Sequence, residues 1–474
     1  MEDFLASSII HFTDFISEKE KDFRNQVNPC FVSFILDIKG IPNFIDPLQL
    51  INSFDISLYY EKPEEQFSFA ALGSCIEITE NGSGRFVATV KKIKEWQSNL
   101  FTNKLKDDDL VYPLFVGGAK FMPEHSDENW KDFSDSTWFI PDFLILRRKD
   151  EKKLLINFTV QPGTTSISLI KKFETKLRTL LSVQPLEGNF NSTKLLSTTG
   201  NSPKDKKKWK QMIGTTLDII NTGELDKIVL SRKIDLLFSD EPNIFKLHSK
   251  LKTAYTNCYN FIYKSGNSFF FGASPERLVK FNKDELLLEA LAGSAPRGKN
   301  DEEENYNTNE ILLNKKNLNE HNFVVEHIKN NCSQFVTNVS FDEHPSIKKL
   351  PNIQHLSTQI KCTLNDNVPP LTFIDKLFPT PAICGVPTER ALQLIKKNEN
   401  HQRGLYSGLI GWFNFDNEGE FVIAIRSALL IGKRIFAYAG CGIVQDSDPA
   451  TEFEETDLKL KPILSLFRQS NENK

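Results

Sequence analysis

The fold of this chain is constrained most by a succession of short apolar strands that follow one another through turns, with helices grouped between sets of strands. In the second half, strands are predicted at residues 227–232, 260–263, 269–272, 277–281, 285–291, 405–413, 420–431 and 434–439. Helical spacing occupies residues 242–256 and 305–331. The pattern predicts an α+β fold, in which large antiparallel β-sheets pack in a sandwich-like core with helices on the outside.

The first half also mixes helical and strand patterns. Residues 3–25 have helical spacing, and residues 31–38 predict a strand. Further on, the patterns predict a hairpin of residues 67–78 and 86–90 around Asn81-Gly82, a helix at 91–105, a strand at 112–121 and an antiparallel pair at 138–147 and 153–160.

A polar segment at residues 187–208, rich in Asn, Ser, Thr and Lys, is interpreted as an exposed linker or loop. It divides the chain into an N-terminal α+β portion, residues 1–200, and a second portion, residues 201–474, where the candidate functional residues lie. We expect both to pack into one globule.

Composition narrows the classes of partner. A net charge of -4 over 474 residues gives no basic surface for nucleic acid, so a small-molecule partner is expected. The seven cysteines are scattered without a CxxC pair, which indicates neither a disulfide framework nor a zinc site. No apolar run approaches the roughly 20 residues of a membrane helix, and Met1-Glu-Asp-Phe is unlike a secretory signal. We expect a cytoplasmic protein without a membrane partner.

The stretch at residues 436–459 combines an apolar strand, a glycine-rich bend and an acidic helix start. Gly440 and Gly442 leave room and free amides for an anionic ligand. On the helix, Glu452 and Glu455 share one face and could converge on a hard cation, whereas Glu454 points elsewhere. The same spacing also suits a solvated turn in which Glu455 pairs with Lys459.

Two residues next to predicted strands are candidates for acid–base chemistry. Lys227 opens a buried strand, where lost solvation would lower its pKa and let it act as a base. Glu276 lies at a tight corner between strands, where burial would raise its pKa and let it hold a proton. A surface lysine and a surface Glu276–Arg277 corner are the structural alternatives.

Other residues suggest anion binding. Amides and a hydroxyl in the bend at Gly293-Ser294 could hold a carboxylate, although an ordinary loop would have the same sequence. Arg426 lies inside an apolar strand, where arginine needs a buried carboxylate. Tyr406 could donate to the same anion or be a core tyrosine.

A helix carries Glu320 beside His321. A zinc site fails on geometry, because His321 and His327 are six residues apart and HExxH is absent. A site for a hard cation with oxygen ligands remains open at Glu320.

The order of these motifs is similar to that of the chorismate-utilising enzymes, which include isochorismate synthases, salicylate synthases and the large subunits of anthranilate and aminodeoxychorismate synthases. The resemblance runs from about residue 205 to 467, with fainter similarity to isochorismate synthases at residues 73–86 and 139–157. It is carried by Lys227-Ile-Val-Leu-Ser-Arg232, Gly272-Ala-Ser-Pro-Glu276-Arg277, Leu291-Ala-Gly-Ser-Ala-Pro-Arg-Gly298, Glu320-His321, Pro379-Thr-Pro-Ala-Ile-Cys-Gly385, Tyr406-Ser-Gly408, Ile425-Arg-Ser427, Gly440-Cys-Gly-Ile-Val444 and Glu452-Phe-Glu-Glu455.

Within that family, two positions imply water as the nucleophile. Lys227 lies where the water-using members carry the base, and Ala292 lies where aminodeoxychorismate synthases carry a nucleophilic lysine. The resemblance therefore implies an isochorismate synthase acting on chorismate, with menaquinone or siderophore synthesis as its pathway. Salicylate synthase and a non-catalytic chorismate-binding homologue are the alternatives. A monomer without a glutaminase subunit is expected.

The resemblance also implies roles for the site residues. Lys227 would deprotonate the water that attacks ring carbon C2, and Glu276 would protonate the hydroxyl that leaves C4. The implied ligands of Mg²⁺ are Glu320 and Glu455, with Glu452 nearby or acting through water.

The remaining implied roles concern substrate binding. Arg426 and Tyr406 would hold the enolpyruvyl carboxylate, while the bends at Gly293-Ser294 and at Gly440 to Gly442 position the ring. One departure is Ser294-Ala295 in place of the usual Thr-Arg, which keeps the hydroxyl and loses the arginine.

Overall fold

The computed structural model describes residues 1–41, 46–97, 99–103, 112–123, 128–183, 193–366 and 368–467. Its helices, α1 to α12, are Glu2–Glu18, Glu20–Arg24, Pro47–Leu50, Arg85–Gln97, Ser166–Ser182, Pro203–Asn221, Ile244–Ala254, Asp301–Leu313, Lys315–Cys332, Pro370–Leu377, Thr388–Asn398 and Pro449–Leu464.

The strands fall into two groups along the chain. Strands β1 to β10 are Cys30–Asp37, Ile56–Lys62, Phe67–Leu72, Ile76–Glu80, Leu100–Thr102, Phe115–Ala119, Ser136–Ile140, Phe143–Arg148, Glu151–Val160 and Leu195–Thr199. Strands β11 to β23 are Lys227–Phe238, Tyr259–Ser265, Ser268–Ser274, Arg277–Asn282, Glu285–Pro296, Val336–Phe341, Ser346–Lys349, Ile353–Leu364, Gly385–Val386, Leu409–Phe413, Glu418–Ile423, Ser427–Ile431 and Arg434–Ile443.

In the described residues these strands form two large sheets. The first has the order β10-β11-β23-β22-β13-β12-β2-β3-β8-β9-β1-β5, with β19 also paired to β11. The second has the order β16-β18-β15-β14-β21-β20-β6-β7-β4, with β17 also paired to β18. Pairing is antiparallel except between β1 and β5. The α+β prediction with large antiparallel sheets is confirmed.

The core has three layers of apolar side chains. Between the sheets, Leu58 and Phe270 of the first sheet pack in one cluster with Phe139 and Ile410 of the second. The outer faces are covered by helices, chiefly α1, α5 and α7 over the first sheet and α9 and α10 over the second, while α6 and α11 pack in the cluster that contains Ile228 of β11. Two sheets buried on both faces explain why the strands read as continuous apolar runs.

Strands from both halves share both sheets. Strand β2 pairs with β12, with Tyr60 opposite Phe261, and β6 pairs with β20, with Gly117 opposite Gly411. The division at residue 200 stays a prediction about folding units. Residues 187–192 lie outside the described residues, but the rest of the proposed linker contains β10 and the start of α6, so its interpretation as a loop is wrong there.

The hairpin predicted at residues 67–90 is wrong. Strand β3 lies in the first sheet and β4 in the second, and residues 86–90 belong to α4. The spacing of Phe86, Val90 and Ile93 is helical, and all three pack into the cluster that includes α10. Helix α4 ends at Gln97, so the prediction of a helix at 91–105 was displaced along the chain.

The prediction of one strand at residues 420–431 is also wrong, and this error has consequences for the site. The single strand predicted at residues 420–431 is two strands: β21 pairs with β14 and β20 in the second sheet, and β22 pairs with β13 and β23 in the first. Arg426 lies in the break with a φ of 52°, in the left-handed region. The apolar pattern continues across the break because both strands are buried, so hydrophobicity did not reveal it.

In the part of the chain that the structure describes, no helix is both long enough and apolar enough to cross a membrane.

Candidate active site

The candidate site is built where the chain twice crosses from one sheet to the other. Pro275 and Glu276 connect β13 of the first sheet to β14 of the second, and residues 424–426 connect β21 back to β22. The two crossings are joined by backbone hydrogen bonds, from the Ile423 amide to the Glu276 carbonyl (3.0 Å) and from the Ala273 amide to the Arg426 carbonyl (3.2 Å). The acid candidate and the arginine therefore lie side by side on a rigid scaffold.

Glu276 is buried at its corner, as predicted. The Ser274 hydroxyl accepts the hydrogen bond of the Glu276 amide (3.2 Å) and donates to the Ile423 carbonyl (2.5 Å), which fixes the turn. The pKa of Glu276 is raised to about 7, first by burial and then by the Glu289 carboxylate, whereas Arg426, Lys348 and Lys459 oppose the rise. At neutral pH a large share of this carboxyl carries a proton.

Lys227 begins β11 and is fully buried. Its Nζ lies 3.2 Å from Oε1 of Glu320 and 3.5 Å from the Glu320 carbonyl oxygen. Burial lowers the pKa of Lys227, and the Glu320 carboxylate partly offsets this effect. The surface alternative for this lysine is thereby wrong, and its desolvation suits a base.

Gly442 provides the space in which Lys227 and Glu320 meet. It lies opposite Val229 in the β11–β23 pair. A Cβ at this position would lie 2.8 Å from Cδ of Glu320 and 3.1 Å from Cε of Lys227, with Oε1 of Glu320 closer still. Only glycine allows both side chains to occupy these positions.

Arg426 is held by a histidine that the sequence did not reveal. Its Nη2 lies 3.0 Å from Nε2 of His355, a buried residue on β18. Because arginine only donates, Nε2 accepts, and the proton of His355 is on Nδ1, 3.0 Å from the Gly293 carbonyl oxygen. His355 thus ties Arg426 to the bend of Gly293 and Ser294, whose hydroxyl is 3.1 Å from Nδ1. A lone histidine in an apolar strand was its only sequence signal.

The bend at Gly293 is a bulge in β15. The register with β18 shifts between Ala292 and Ser294, and Gly293 has a φ of 76°. The bulge leaves Gly293 without a partner in the register with β18, while Ser294 is opposite His355.

Tyr406 is buried beside a second glycine. It is stacked on Tyr438, with ring centroids 5.2 Å apart. A Cβ at Gly440 would lie 3.2 Å from the Tyr406 hydroxyl, so this glycine keeps space beside the phenol.

Helix α12 begins as the sequence predicted. Pro449 occupies its first position, and the Asp448 carboxylate accepts hydrogen bonds from the amides of Ala450 (3.0 Å) and Thr451 (2.8 Å). Glu454 is exposed, in keeping with the prediction that it points away from Glu452 and Glu455.

Glu452 and Glu455 of α12 both lie beside lysines. Glu452 is buried, and its Oε1 accepts from Lys316 of α9. Oε1 of Glu455, which is largely buried, lies 2.6 Å from Nζ of Lys459, and Lys459 also donates to the Gly440 carbonyl (3.1 Å). The Glu455–Lys459 pair of the alternative interpretation therefore exists, but inside the protein rather than on a solvated turn.

These pairs shift the protonation of both partners. Burial and the Glu455 carboxylate raise the pKa of Glu452, with Lys316 opposing the rise. Burial alone would raise the pKa of Glu455, but Lys459 and Lys316 lower it. The pKa of Lys316 is raised, because Glu452, Glu455 and Glu320 together outweigh its burial. Lys316 is a charged residue of the site that the sequence reasoning missed, whereas Lys459 was considered only as the partner of Glu455 on a solvated turn.

Each of the three proposed metal carboxylates lies beside a lysine: Glu452 beside Lys316, Glu455 beside Lys459 and Glu320 beside Lys227. In the described ranges, no group of three or more His, Cys, Asp or Glu side chains is close enough together to hold a metal ion. The Lys316 ammonium interacts instead with all three carboxylates. The donor set of carboxylate oxygens suits a hard divalent cation, provided that Lys316 and Lys459 move aside.

One cavity connects most of the predicted residues. Its lining includes Glu276, Gly293, Ser294, Glu320, Tyr406, Arg426, Gly440 and Gly442, together with His355 and Lys459. Lys227 lies behind Glu320 and Gly442, while Glu452 and Glu455 lie on α12 beside Lys316 and Lys459. The roles of these residues stay predictions, but the fold brings them to one place.

Comparison with known proteins identifies the family of the chain. The family model described as "Chorismate binding enzyme" matches residues 17–468. The chain belongs to the chorismate-binding enzyme family. The match covers both halves of the chain, in keeping with strands from both halves in each sheet.

Members of the chorismate-binding family are similar over most of the chain. The salicylate biosynthesis isochorismate synthase of Pseudomonas aeruginosa is 31% identical over 422 residues, covering 88% of this chain and 86% of that protein. Isochorismate synthase MenF of Bacillus subtilis is 30% identical over 415 residues, covering 86% and 87%. The structure of MenF, the menaquinone-specific isochorismate synthase from Escherichia coli, superposes with a TM-score of 0.76 at 24% identity, covering 98% and 100%. At that identity the structural likeness supports the fold.

Proposed function

We propose that this protein is an isochorismate synthase, which converts chorismate to isochorismate by adding water at C2 and releasing the hydroxyl from C4. The observation that carries the proposal is a buried carboxyl with a pKa of about 7, Glu276, in the lining of a cavity, together with a buried lysine with a lowered pKa, Lys227, behind Glu320 and Gly442 of the same lining. The isochorismate synthases among its relatives support the same reaction.

The two groups supply the proton transfers. Lys227 in its uncharged form takes a proton from the water that forms the new bond to C2. Glu276 in its protonated form gives a proton to the hydroxyl that leaves C4 as water, while the ring double bonds shift. A positioned acid or base typically contributes about 10² to 10⁴ in rate. Lys227 then releases its proton to solvent and Glu276 takes one up from solvent, which restores both groups.

The other residues that line the cavity bind and position the substrate. Arg426 and Tyr406 hold the enolpyruvyl carboxylate, with His355 keeping the guanidinium in place. The bend at Gly293-Ser294 and the backbone at Gly440 to Gly442 position the ring. Ser294 retains the hydroxyl of the bend.

We further propose Mg²⁺ as the cofactor, held by Glu320 and Glu455 with Glu452 nearby or acting through water. The bound ion would supply positive charge to the ring carboxylate of chorismate. Support comes from the three largely buried carboxylates around the Lys316 ammonium, a place that already attracts a cation.

Product identification tests the proposed reaction. Purified protein, chorismate and MgCl₂ are incubated at neutral pH, and the products are separated by chromatography with fluorescence detection. Isochorismate as the main product supports the proposal. Fluorescent salicylate as the main product would establish the salicylate synthase alternative, and binding of chorismate without turnover would establish a non-catalytic homologue.

We also propose a cytoplasmic monomer that works without a glutaminase subunit. Its seven free cysteines suit a reducing compartment, and Lys227 favours water over ammonia as nucleophile. The two portions of the chain are expected to unfold together, because they share both sheets. Light scattering coupled to size exclusion and a thermal unfolding scan test these points; a dimer or two separate transitions would contradict them.

A further inference from the structure

The ion pair of Glu289 and Lys348 has no role in the proposed proton transfers. Glu289 lies on β15 and is buried. Lys348, on β17, places its Nζ 2.9 Å from Oε1 and 2.7 Å from Oε2 of Glu289. The Ser357 hydroxyl of β18 donates to Oε1 (2.8 Å). The carboxylate of Glu289 is thus held in place by neighbouring strands.

Lys348 also reaches the corner that carries the acid. Its Nζ donates to the carbonyl oxygen of Pro275 (2.7 Å), the residue directly before Glu276. One ammonium therefore links the Glu289 carboxylate to the backbone of the crossing between β13 and β14. Any movement of Glu276 relative to Glu289 would stretch this connection.

We propose that Glu289, held by Lys348 and Ser357, is a positioning residue that keeps Glu276 protonated for its role as the acid. A fixed negative charge beside a buried carboxyl disfavours ionisation of that carboxyl. Lys348 restrains Glu289 and the Pro275–Glu276 corner in one arrangement. The inference rests on the proposed function for the role of Glu276, but the effect on its protonation is a property of the protein alone.

Several charged groups act on Glu276 at once. Glu289 from β15 disfavours its ionisation, whereas Arg426 from the break before β22, Lys348 from β17 and Lys459 from α12 favour it. Lys227 of β11 interacts with it as well. Glu320 of α9 lines the same cavity as Glu276. Glu289 is the carboxylate that disfavours ionisation of Glu276, so its removal has a defined direction.

The test is a titration of the Glu276 carboxyl by infrared difference spectroscopy, using the carboxylic C=O stretch that is lost in Glu276→Gln. In Glu289→Gln the midpoint should fall by roughly one pH unit, a tenfold change in proton affinity. Glu289→Asp, which keeps the charge, should retain most of the original midpoint. Glu285→Gln, an exposed position on the same strand, is the matched control and should leave the midpoint unchanged.

A double variant guards against misfolding. Glu289→Gln combined with Lys348→Met leaves neither partner of the pair buried and alone. Its midpoint should lie between those of Glu289→Gln and the unmodified protein. An unchanged midpoint in both Glu289→Gln and the double variant, or a midpoint that rises, would overturn the inference.

The pH dependence of kcat/KM provides an independent test. If chorismate is turned over, the basic limb of the kcat/KM profile should move with the infrared midpoint, since Glu276 works in its protonated form. A purely structural role for Glu289 would lower kcat without moving that limb, and this result would also overturn the inference. Absence of isochorismate with a shifted infrared midpoint would instead refute the proposed function and leave the inference standing.

Discussion

Replacement of Gly442 by alanine should disrupt the contact between Lys227 and Glu320 without unfolding the protein. The φ of Gly442 lies outside the left-handed region, so the backbone accepts alanine. The added Cβ would lie 2.1 Å from Oε1 and 2.8 Å from Cδ of Glu320, whereas ordinary contact begins at 3.4 Å, so Oε1 must retreat by about 1.3 Å. Lys227 must also shift, because its Cε would lie 3.1 Å away.

The functional cost follows from the position of the two groups. A misplacement of about 1 Å can reduce the rate roughly 10²-fold. For Gly442→Ala we expect kcat/KM to fall by roughly tenfold to a hundredfold, about 1.4 to 2.7 kcal/mol of transition-state stabilisation. The assay is initial-rate kinetics with chorismate at saturating MgCl₂, together with circular dichroism to check the fold.

Gly214→Ala is the control for Gly442→Ala. A Cβ at Gly214, on α6, meets nothing within 4 Å, so activity should be unchanged. Wild-type kcat/KM in Gly442→Ala would refute the argument that this glycine makes room for Lys227 and Glu320. A loss of activity accompanied by a loss of folded structure would refute the expectation that only the site is disturbed.

Further predictions concern the charged groups. Lys227→Met should reduce turnover by at least about 10² while chorismate still binds in calorimetry; unchanged turnover would remove Lys227 from the mechanism. The pKa of Glu276 is raised to about 7 from an ordinary 4.5, so its contribution to stability is present below pH 4.5 and lost as pH rises through 7. In denaturant titrations Glu276→Gln should therefore be more stable than the unmodified protein at pH 9, by up to about 3 kcal/mol. At pH 4 the two proteins should be equally stable. Equal stability at both pH values would argue against a buried ionised Glu276. Lys316→Met should strengthen Mg²⁺ binding in calorimetry, since it removes the ammonium from Glu452; weaker binding would show that Lys316 supports the site rather than competing for it.

Much of the architecture follows from local sequence. The start of α12 is encoded in Asp448-Pro449, where a cap and a proline at the first helical position act within one turn. Most strands of the second half were found, because an apolar run bounded by turns can be recognised without its partner strand. Strands β16 to β19, among them β18 with His355, were not predicted. The resemblance to a family placed the site residues, but the fold was needed to bring them together.

What the sequence did not reveal depends on contacts distant along the chain. The break at Arg426 is invisible in an apolar run, because β21 and β22 are both buried although they belong to different sheets. Lys316 meets Glu452 across 136 positions, and His355 meets Arg426 across 71. No local pattern indicates such pairs, and the sequence alone does not distinguish a lysine that a neighbouring helix buries from a solvated lysine.

The central claim is that Lys227 and Glu276 exchange one hydroxyl of chorismate for another that comes from water. The most direct test is turnover in H₂¹⁸O with Mg²⁺, followed by mass spectrometry of the isochorismate formed. The account predicts that the new hydroxyl at C2 carries ¹⁸O. Isochorismate without the label at C2 would contradict it.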